Sequence, residues 1–246
     1  MSRMEQDMVS VVIPAYNEEQ ALPDTLVSLF QQEGAFEVIL VDGGSTDRTR
    51  AIVTSFGFTD DVRGTGFSYD DSRRLLTAPK GRAAQMNAGA RAAGGEWLLF
   101  LHADTLLPPG AIRRLNELEW DQASQAGGFK HRFSGNNWRL QLISFLDNFR
   151  CIRSRIIYGD QALFVRRRLF EDLGGFPPQP ILEDVAFCER LLKVTRPLLL
   201  SPPVITDARK FVKMGIWRSF ARVLLIILHV QFRLPILPRV FFQDIR

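Results

Sequence analysis

The chain has 246 residues, of which 46% are hydrophobic, enough apolar material for one sizeable core. Its net charge of +4 fits an anionic substrate, a membrane surface or nucleic acid and does not choose between them. We expect no nucleic-acid partner. The widely separated Cys151 and Cys188 argue against a disulfide scaffold and favour a reducing compartment. Residues 1–8 lack the apolar core of a signal peptide, and no stretch approaches the ~18 apolar residues of a spanning helix. We therefore expect a cytoplasmic location.

Strands and helices alternate in the first half of the chain. The apolar pattern predicts strands at Val9–Ile13, Phe36–Val41, Leu75–Ala78 and Trp97–Leu101. It predicts helices from about Leu22 to Phe30, from a Ser45 or Thr46 cap to about Phe56, and from Arg82 to Ala93. Residues 57–74 are polar and rich in glycine, so a long surface loop is expected there. Three strand–helix pairs before a fourth strand indicate a parallel, doubly wound α/β sheet.

The second half of the chain has a mixed pattern. Strands are predicted at Phe129–Phe133 and Ala162–Val165, and helices at Trp138–Arg150 and Val185–Val194. His131 is expected to be a surface residue of its strand rather than a ligand. No linker composition is present, so we predict one domain, with a catalytic core at 9–208 and a C-terminal helical extension at 209–246.

Polar side chains follow several of the predicted parallel strands. Asp104 comes soon after the apolar run Trp97–Leu101, and Asp42 ends the second strand. Ligands of open α/β sheets bind at the carboxyl ends of the strands, where a carboxylate can hold a divalent metal and, through it, phosphates. Gly81 and Arg82 open a helix whose N–H groups and guanidinium can meet phosphate oxygens. Each element alone has a structural explanation, such as a helix cap, a braced turn or a surface charge, but together they predict a diphosphate site.

Four motifs carry a resemblance to a known family. They are Ile13-Pro14-Ala15-Tyr16-Asn17-Glu18-Glu19, Val41-Asp42-Gly43-Gly44-Ser45-Thr46-Asp47, Gly81-Arg82-Ala83-Ala84-Gln85-Met86-Asn87-Ala88-Gly89 and Leu101-His102-Ala103-Asp104. Over roughly residues 9 to 200 they resemble the family-2 glycosyltransferases of the GT-A fold. The His-Ala-Asp form also resembles a bacterial subgroup of that family. The resemblance implies a Rossmann-like, mostly parallel sheet flanked by helices and an inverting transfer of sugar from a nucleotide-diphosphate-sugar.

The resemblance also implies roles for single residues on the donor side. Residues expected to bind the donor are Pro14, Ala15, Glu18, Asp42, Arg82, Ala103 and Asp104. Asp104 matches the last carboxylate of the family's Asp-x-Asp metal motif, whereas His102 stands at the first position. Imidazole ligates manganese more readily than magnesium, so a divalent cofactor is expected, with Mn²⁺ and Mg²⁺ both open.

Candidate residues on the acceptor side come from the second half of the chain. Glu183 and Asp184, at a helix start, resemble the pair from which the family draws its catalytic base, and we favour Asp184. Both carboxylates also suit the helix dipole, which is the simpler structural explanation. Gly159, Asp160 and Gln161 match family positions near the acceptor.

The expected activity is a metal-dependent sugar transfer to an unidentified small-molecule or lipid acceptor. Two alternatives remain open: a non-catalytic module that binds a nucleotide-sugar or a membrane surface, and, with less support, a nucleotidyltransferase. The apolar run Val223–Leu228 lies between Arg222 and Arg233. This layout predicts a peripheral contact with the inner face of the cell membrane, a homodimer contact, or packing on the domain's own core.

Overall fold

The computed structural model describes residues 8–60, 72–117, 125–179 and 181–231, and side chains as far as Leu225. Its strands are β1 (Val9–Ala15), β2 (Phe36–Asp42), β3 (Thr59–Asp60), β4 (Arg73–Thr77), β5 (Trp97–Phe100), β6 (Thr105–Leu106), β7 (Ala126–Phe133), β8 (Phe164–Arg166) and β9 (Leu198–Thr206). Its α-helices are α1 (Leu22–Phe30), α2 (Thr49–Ser55), α3 (Arg82–Ala92), α4 (Ala111–Glu117), α5 (Trp138–Ser154), α6 (Arg167–Asp172), α7 (Glu183–Leu191), α8 (Arg209–Lys213) and α9 (Ile216–Gln231). A 3₁₀ turn covers Gly159–Gln161.

All these strands join one sheet in the order β3-β4-β2-β1-β5-β8-β7-β9-β6. The pairs that involve β1 to β5 among themselves are parallel. Antiparallel pairing begins where β8 joins β5, and β7 pairs in parallel with β9. The predicted mostly parallel α/β sheet is therefore confirmed. From β1, the chain adds β2 and β4 on one side and then β5 on the other, so the strand order reverses at β1. The carboxyl end of β1 therefore lies at a topological switch point, the usual place for a ligand.

The core lies on both faces of this sheet. Successive residues of β1 alternate between faces, so Val11 and Ile13 pack under α1 and α4, whereas Val12 packs under α3. Helix α3 lies very close to the sheet. A Cβ atom at Gly89 would come within 2.4 Å of Val12, so only glycine permits this approach.

Two local predictions in the first half are wrong. Arg73 and Arg74 belong to β4 and not to a loop. The buried guanidinium of Arg74 donates to Glu37 Oε2 at 2.6 Å, and this pairing allows a charged residue within the sheet. Thr59 and Asp60 pair with β4, while 61–71 lie outside the described residues. Helix α2 begins at Thr49, because Asp47 Oδ1 accepts the Thr49 N–H at 2.9 Å in place of a Ser45 or Thr46 cap.

The structure contains three further elements that the sequence pattern did not reveal. The β9 strand includes Pro202 and Pro203, which obscure its strand pattern, and α4 and β6 are short. The C-terminal region forms α8 and α9, and Arg233 lies outside the described residues. The division into a core at 9–208 and an extension at 209–246 stays a prediction. Within the described ranges, none of the helices combines the length and apolar character needed to cross a bilayer.

Candidate functional site

The carboxyl ends of β1, β2 and β5 and the start of α3 meet at one edge of the sheet. A cavity of about 170 Å³ opens there, and we call it the first cavity. Its wall includes Pro14, Ala15, Tyr16, Glu18, Lys80, Gly81, Arg82, Gln85, His102, Ala103, Asp104, Ile181 and Lys210. The structure therefore brings together every sequence-predicted donor residue except Asp42.

Asp42 is buried at the end of β2 and braces the following turn. Its carboxylate accepts the Ser45 N–H at 3.1 Å and pairs with the Arg50 guanidinium at 3.3 Å. Asp42 is absent from the described residues that line the first cavity. Its role in donor binding stays a prediction, because the observed contacts are those of a turn-bracing carboxylate.

Gln85 lines the first cavity and holds two strand ends in place. The sequence indicated it only as part of a motif. Its side chain is buried, and Nε2 donates to the backbone oxygens of Ala15 and Val41 at 2.8 Å each. A Cβ atom at Gly43 would lie 3.1 Å from this amide. One side chain of α3 thus holds the ends of β1 and β2 together.

Lys210 of α8 reaches two acidic residues of the first cavity. Its Nζ lies 2.7 Å from Glu18 Oε1 and 3.5 Å from Asp104 Oδ2. Burial raises the pKa of Glu18. Burial alone would lower the pKa of Lys210, but the charges of Asp104 and Glu18 raise it above its usual value. The ammonium therefore stays protonated and places a fixed positive charge in the wall of the first cavity.

The side chain of His102, two residues before Asp104, has two properties that suit a divalent ion. Burial, and next the charge of Arg82, lower the pKa of His102 to about 4, so its imidazole is neutral at pH 7 and has a free lone pair. Its Nε2 atom is buried and has no hydrogen-bond partner in the part of the chain that the structure describes. The described residues contain no cluster of three His, Cys, Asp or Glu ligands, so phosphate and water oxygens would complete the coordination, as they commonly do for Mg²⁺.

Glu183 and Asp184, the first residues of α7, are both buried but have different partners. Glu183 Oε1 accepts from the Arg82 Nε at 2.9 Å, so it holds the guanidinium at the cavity wall. Asp184 Oδ2 accepts the Gly159 N–H at 2.6 Å, and Oδ1 accepts the Val185 N–H at 2.8 Å. Leu182 precedes them with φ at +56°, a costly conformation for leucine that sets the direction of the pair.

A second cavity of about 290 Å³ opens beside the first. The two share Arg82, His102, Asp104, Ile181 and Lys210. The rest of the second wall consists of Phe133, Tyr158, Gly159, Asp160, Leu182, Asp184, Thr206, Asp207, Phe211 and Val223. Asp184 therefore faces this cavity, whereas Glu183 belongs to neither wall. Gln161 is also absent from both, since it is fully buried and its Oε1 accepts the Tyr158 N–H at 3.0 Å.

Gly159 joins the two cavities. A Cβ atom at this position would lie 2.4 Å from His102 Nε2 and 3.3 Å from Asp184 Oδ2. Both side chains thus pack against the same glycine, which no larger residue could replace without displacing them.

The expectation that His131 is a surface residue is wrong. Its side chain is 2% exposed, and it lies between Asp160 at 3.7 Å and Asp147 at 3.9 Å. Strand β7 is covered by α5, which carries Asp147, so the face that looked exposed in the sequence is internal. Burial raises the pKa of Asp160 to about 6, and the charge of His131 acts in the opposite direction.

The chain was compared with known proteins. The family model described as "Glycosyl transferase family 2" matches residues 10–174. An undecaprenyl-phosphate 4-deoxy-4-formamido-L-arabinose transferase of Pseudomonas aeruginosa (strain LESB58) is 31% identical over 137 residues, which are 54% of this chain and 38% of that protein. The probable glycosyltransferase YdaM of Bacillus subtilis (strain 168) is 26% identical over 229 residues, 85% of this chain and 52% of that protein.

Solved structures show the same fold. The mannosyltransferase PcManGT from Pyrobaculum calidifontis, in complex with GDP-Man and Mn²⁺, aligns with a TM-score of 0.65 at 23% identity, over 98% of this chain and 68% of that one. TarS 1-349 of S. aureus, in complex with UDP-GlcNAc, aligns with a TM-score of 0.61 at 22% identity, over 82% of this chain and 59% of that one. The family model covers about two thirds of the chain, and the chain belongs to glycosyl transferase family 2.

Proposed function

We propose that this protein transfers a sugar from a nucleotide-diphosphate-sugar to an acceptor O–H group with inversion at the anomeric carbon. The observation that carries the proposal is the shared wall of the two cavities. Arg82, Lys210 and Asp104 line both cavities, whereas Lys80 lines only the first and Asp184 only the second. A donor diphosphate in the first cavity would therefore present its sugar toward a carboxylate on the other side.

The residues of the chain suit a single displacement. Asp184 takes the proton of the acceptor O–H while the acceptor oxygen bonds to the anomeric carbon. The bond from that carbon to the diphosphate breaks, and the electron pair leaves with the phosphate. Arg82 and Lys210 stabilise the charge that develops on the leaving group. The two N–H groups bonded to Asp184 fix its orientation and leave further lone pairs for the acceptor.

A divalent cation is part of the proposal. Asp104 and His102 would hold it, and when bound it would supply Lewis-acid neutralisation of the diphosphate charge. Two of the solved structures, the mannosyltransferase from Pyrobaculum calidifontis and the glucosyl-3-phosphoglycerate synthase from Mycobacterium tuberculosis, contain Mn²⁺. The Mn²⁺ in these two structures, together with the neutral imidazole of His102, favours Mn²⁺ over Mg²⁺.

For the acceptor, we propose a lipid-linked molecule at the inner face of the cell membrane. Phe133, Ile181, Leu182, Phe211 and Val223 give the second cavity an apolar side that a lipid chain could contact. Several similar proteins are named undecaprenyl-phosphate transferases. The chain spans only 38% of the first of these, so their substrates support the proposal by analogy alone.

The test is transfer of radiolabel from a panel of UDP- and GDP-sugars, with Mn²⁺, to a short polyprenyl phosphate or the corresponding polyprenol. We expect label to enter the organic phase with at least one donor, and Asp184→Asn to abolish most of it. Label on the phosphate alone would identify the phosphate as the acceptor group. Donor binding without transfer to any acceptor and without sugar release would favour a non-catalytic binding module instead.

A further inference from the structure

Helix α5 has apolar side chains on two opposite faces. Leu140, Ile143 and Cys151 are buried beneath it. Its outer face exposes Trp138, Leu142, Phe145, Leu146, Phe149 and Ile152. Five of these six positions follow spacings of four and three residues, so they form one stripe along the helix. Phe145 is 65% exposed and Phe149 57%, values that are unusual for phenylalanine in a soluble monomer.

The exposed stripe continues onto the C-terminal helices. The rings of Trp138 and Trp217 lie 6.4 Å apart, centroid to centroid. Beneath them, α5, α8 and α9 share one small core, to which Phe133, Phe211 and Phe220 contribute. On the outside, α8, α9 and the turn between them expose Val212, Met214, Trp217, Leu224 and Leu225. We call the stripe on α5 together with these residues the outer apolar surface.

Positive charge borders the outer apolar surface. Arg139, Arg153, Lys213 and Arg218 are exposed on these helices. Residues 208–243 include several Arg and Lys but no Asp or Glu. The single acid of α5, Asp147, is mostly buried and pairs with Arg150 at 2.7 Å. A second copy of the chain would bring cations against cations, whereas anionic headgroups complement them.

We propose that the outer apolar surface docks on an anionic lipid bilayer, with its tryptophan and phenylalanine side chains below the headgroups. Helices α8 and α9, which carry part of this surface, also contribute Phe211 and Val223 to the wall of the second cavity, so docking places that cavity at the level of the headgroups. The inference deepens the proposed function and rests on it only for the lipid-linked acceptor. Docking itself is measurable without any transfer.

The test is co-sedimentation of the full chain with vesicles of phosphatidylcholine, with and without phosphatidylglycerol. We expect pelleting with the anionic vesicles, much less with the neutral ones, and release by salt. The double variant Phe145→Ser/Phe149→Ser should bind about tenfold or more weakly, because two phenyl rings no longer enter the bilayer. Lys213→Gln/Arg218→Gln should lower binding to anionic vesicles by roughly fivefold per charge and change binding to neutral ones little.

The matched control is Val27→Ser/Val194→Ser, which removes exposed apolar side chains from other parts of the surface. It should pellet like the wild type, and circular dichroism should show that all variants are folded. Equal pelleting of the Phe145/Phe149 variant and wild type would overturn the proposal. Pelleting that does not depend on phosphatidylglycerol would also overturn it. The third contradicting result is a wild-type dimer in light scattering that the Phe145/Phe149 variant does not form, with neither protein bound to vesicles. Calorimetric binding of UDP and GDP, measured in parallel, tests the proposed function separately.

Discussion

The Lys210 ammonium lies 3.5 Å from the carboxylate of Asp104, the residue that we propose as a metal ligand. Glu18 holds the same ammonium at 2.7 Å. A residue of helix α8 therefore supplies positive charge to a site formed by the ends of β1 and β5. Because this ammonium already pairs with both carboxylates, a metal ion bound by Asp104, as we propose, would have to compete with it.

Removal of the Lys210 charge should tighten metal binding in the absence of nucleotide. The Lys210 side chain is 67% exposed, so solvent weakens its interaction, and we expect Lys210→Gln to raise Mn²⁺ affinity by about two- to fivefold. Titration calorimetry measures this change. Lys213→Gln, on the same helix and exposed, is the control and should leave affinity unchanged. An unchanged affinity in Lys210→Gln would show that the ammonium does not compete for Asp104.

Binding of a nucleoside diphosphate should depend on metal through Asp104. A divalent cation held by this carboxylate would offset the repulsion that otherwise opposes binding of the phosphates. We expect Asp104→Ala to lose the gain in UDP or GDP affinity that Mn²⁺ provides, and to remain folded because Asp104 lies at the edge of the core. His102→Ala should lose less of this gain.

The control for Asp104→Ala is Asp24→Ala, an exposed carboxylate of α1. Calorimetric titrations of each variant, with Mn²⁺ and with EDTA, give the comparison. If Asp104→Ala retains the full effect of Mn²⁺, Asp104 is not a metal ligand, and the cavity cations Arg82 and Lys210 must hold the diphosphate unaided.

The clustering of most of the predicted donor residues could be foreseen from the sequence, because these residues lie at strand ends and helix starts. Ala15 and Asp104 come at or soon after the ends of apolar runs, and Arg82 follows Gly81. Parallel pairing brings the carboxyl ends of the strands to one edge of the sheet. Lys210 was not predictable, since it reaches the site only through the packing of α8 against the sheet. The burial of His131 likewise depends on α5 covering β7, and the alternating pattern of one strand does not reveal which element covers it.

Asp160 should make stability dependent on pH. Burial raises its pKa in the folded state to about 6 from an ordinary value of 3.8, so ionisation is less favourable in the folded protein. Its contribution to stability is complete below the lower value and is lost as pH rises through the higher one. We expect Asp160→Asn to melt a few degrees above the wild type at pH 7.5, and the difference to disappear as pH falls from 6 to 4.

The control for Asp160 is Asp24→Asn, on the exposed face of α1, which should follow the wild type at every pH. Thermal melts across pH 4 to 8 measure both variants. If Asp160→Asn melts below the wild type at pH 7.5, the ionised carboxylate stabilises the fold through His131, and the assigned sign is wrong.

Asp184 and Glu183 should separate catalysis from donor binding. Asp184 faces the second cavity, so Asp184→Asn should lower turnover by ~10²–10⁴-fold, the usual contribution of a general base. Asparagine has one acceptor oxygen, so it can keep the hydrogen bond from Gly159 or the one from Val185, but not both. Donor affinity should nevertheless stay nearly constant, because the hydrogen bond between Arg82 and Glu183 does not change. Glu183→Gln should have the opposite profile. It removes the charge that holds Arg82 at 2.9 Å, so donor affinity falls while the base remains in place.

The two variants control for each other, since they are adjacent, buried and isosteric with the wild type. Donor affinity by calorimetry and turnover at saturating donor give the two profiles. Loss of turnover in Glu183→Gln with normal turnover in Asp184→Asn would assign the base to Glu183. Normal turnover in both variants would show that the two carboxylates only stabilise the start of α7 through the helix dipole. The geometry favours Asp184 as the base, because Asp184, unlike Glu183, lines the second cavity and accepts a hydrogen bond from Gly159.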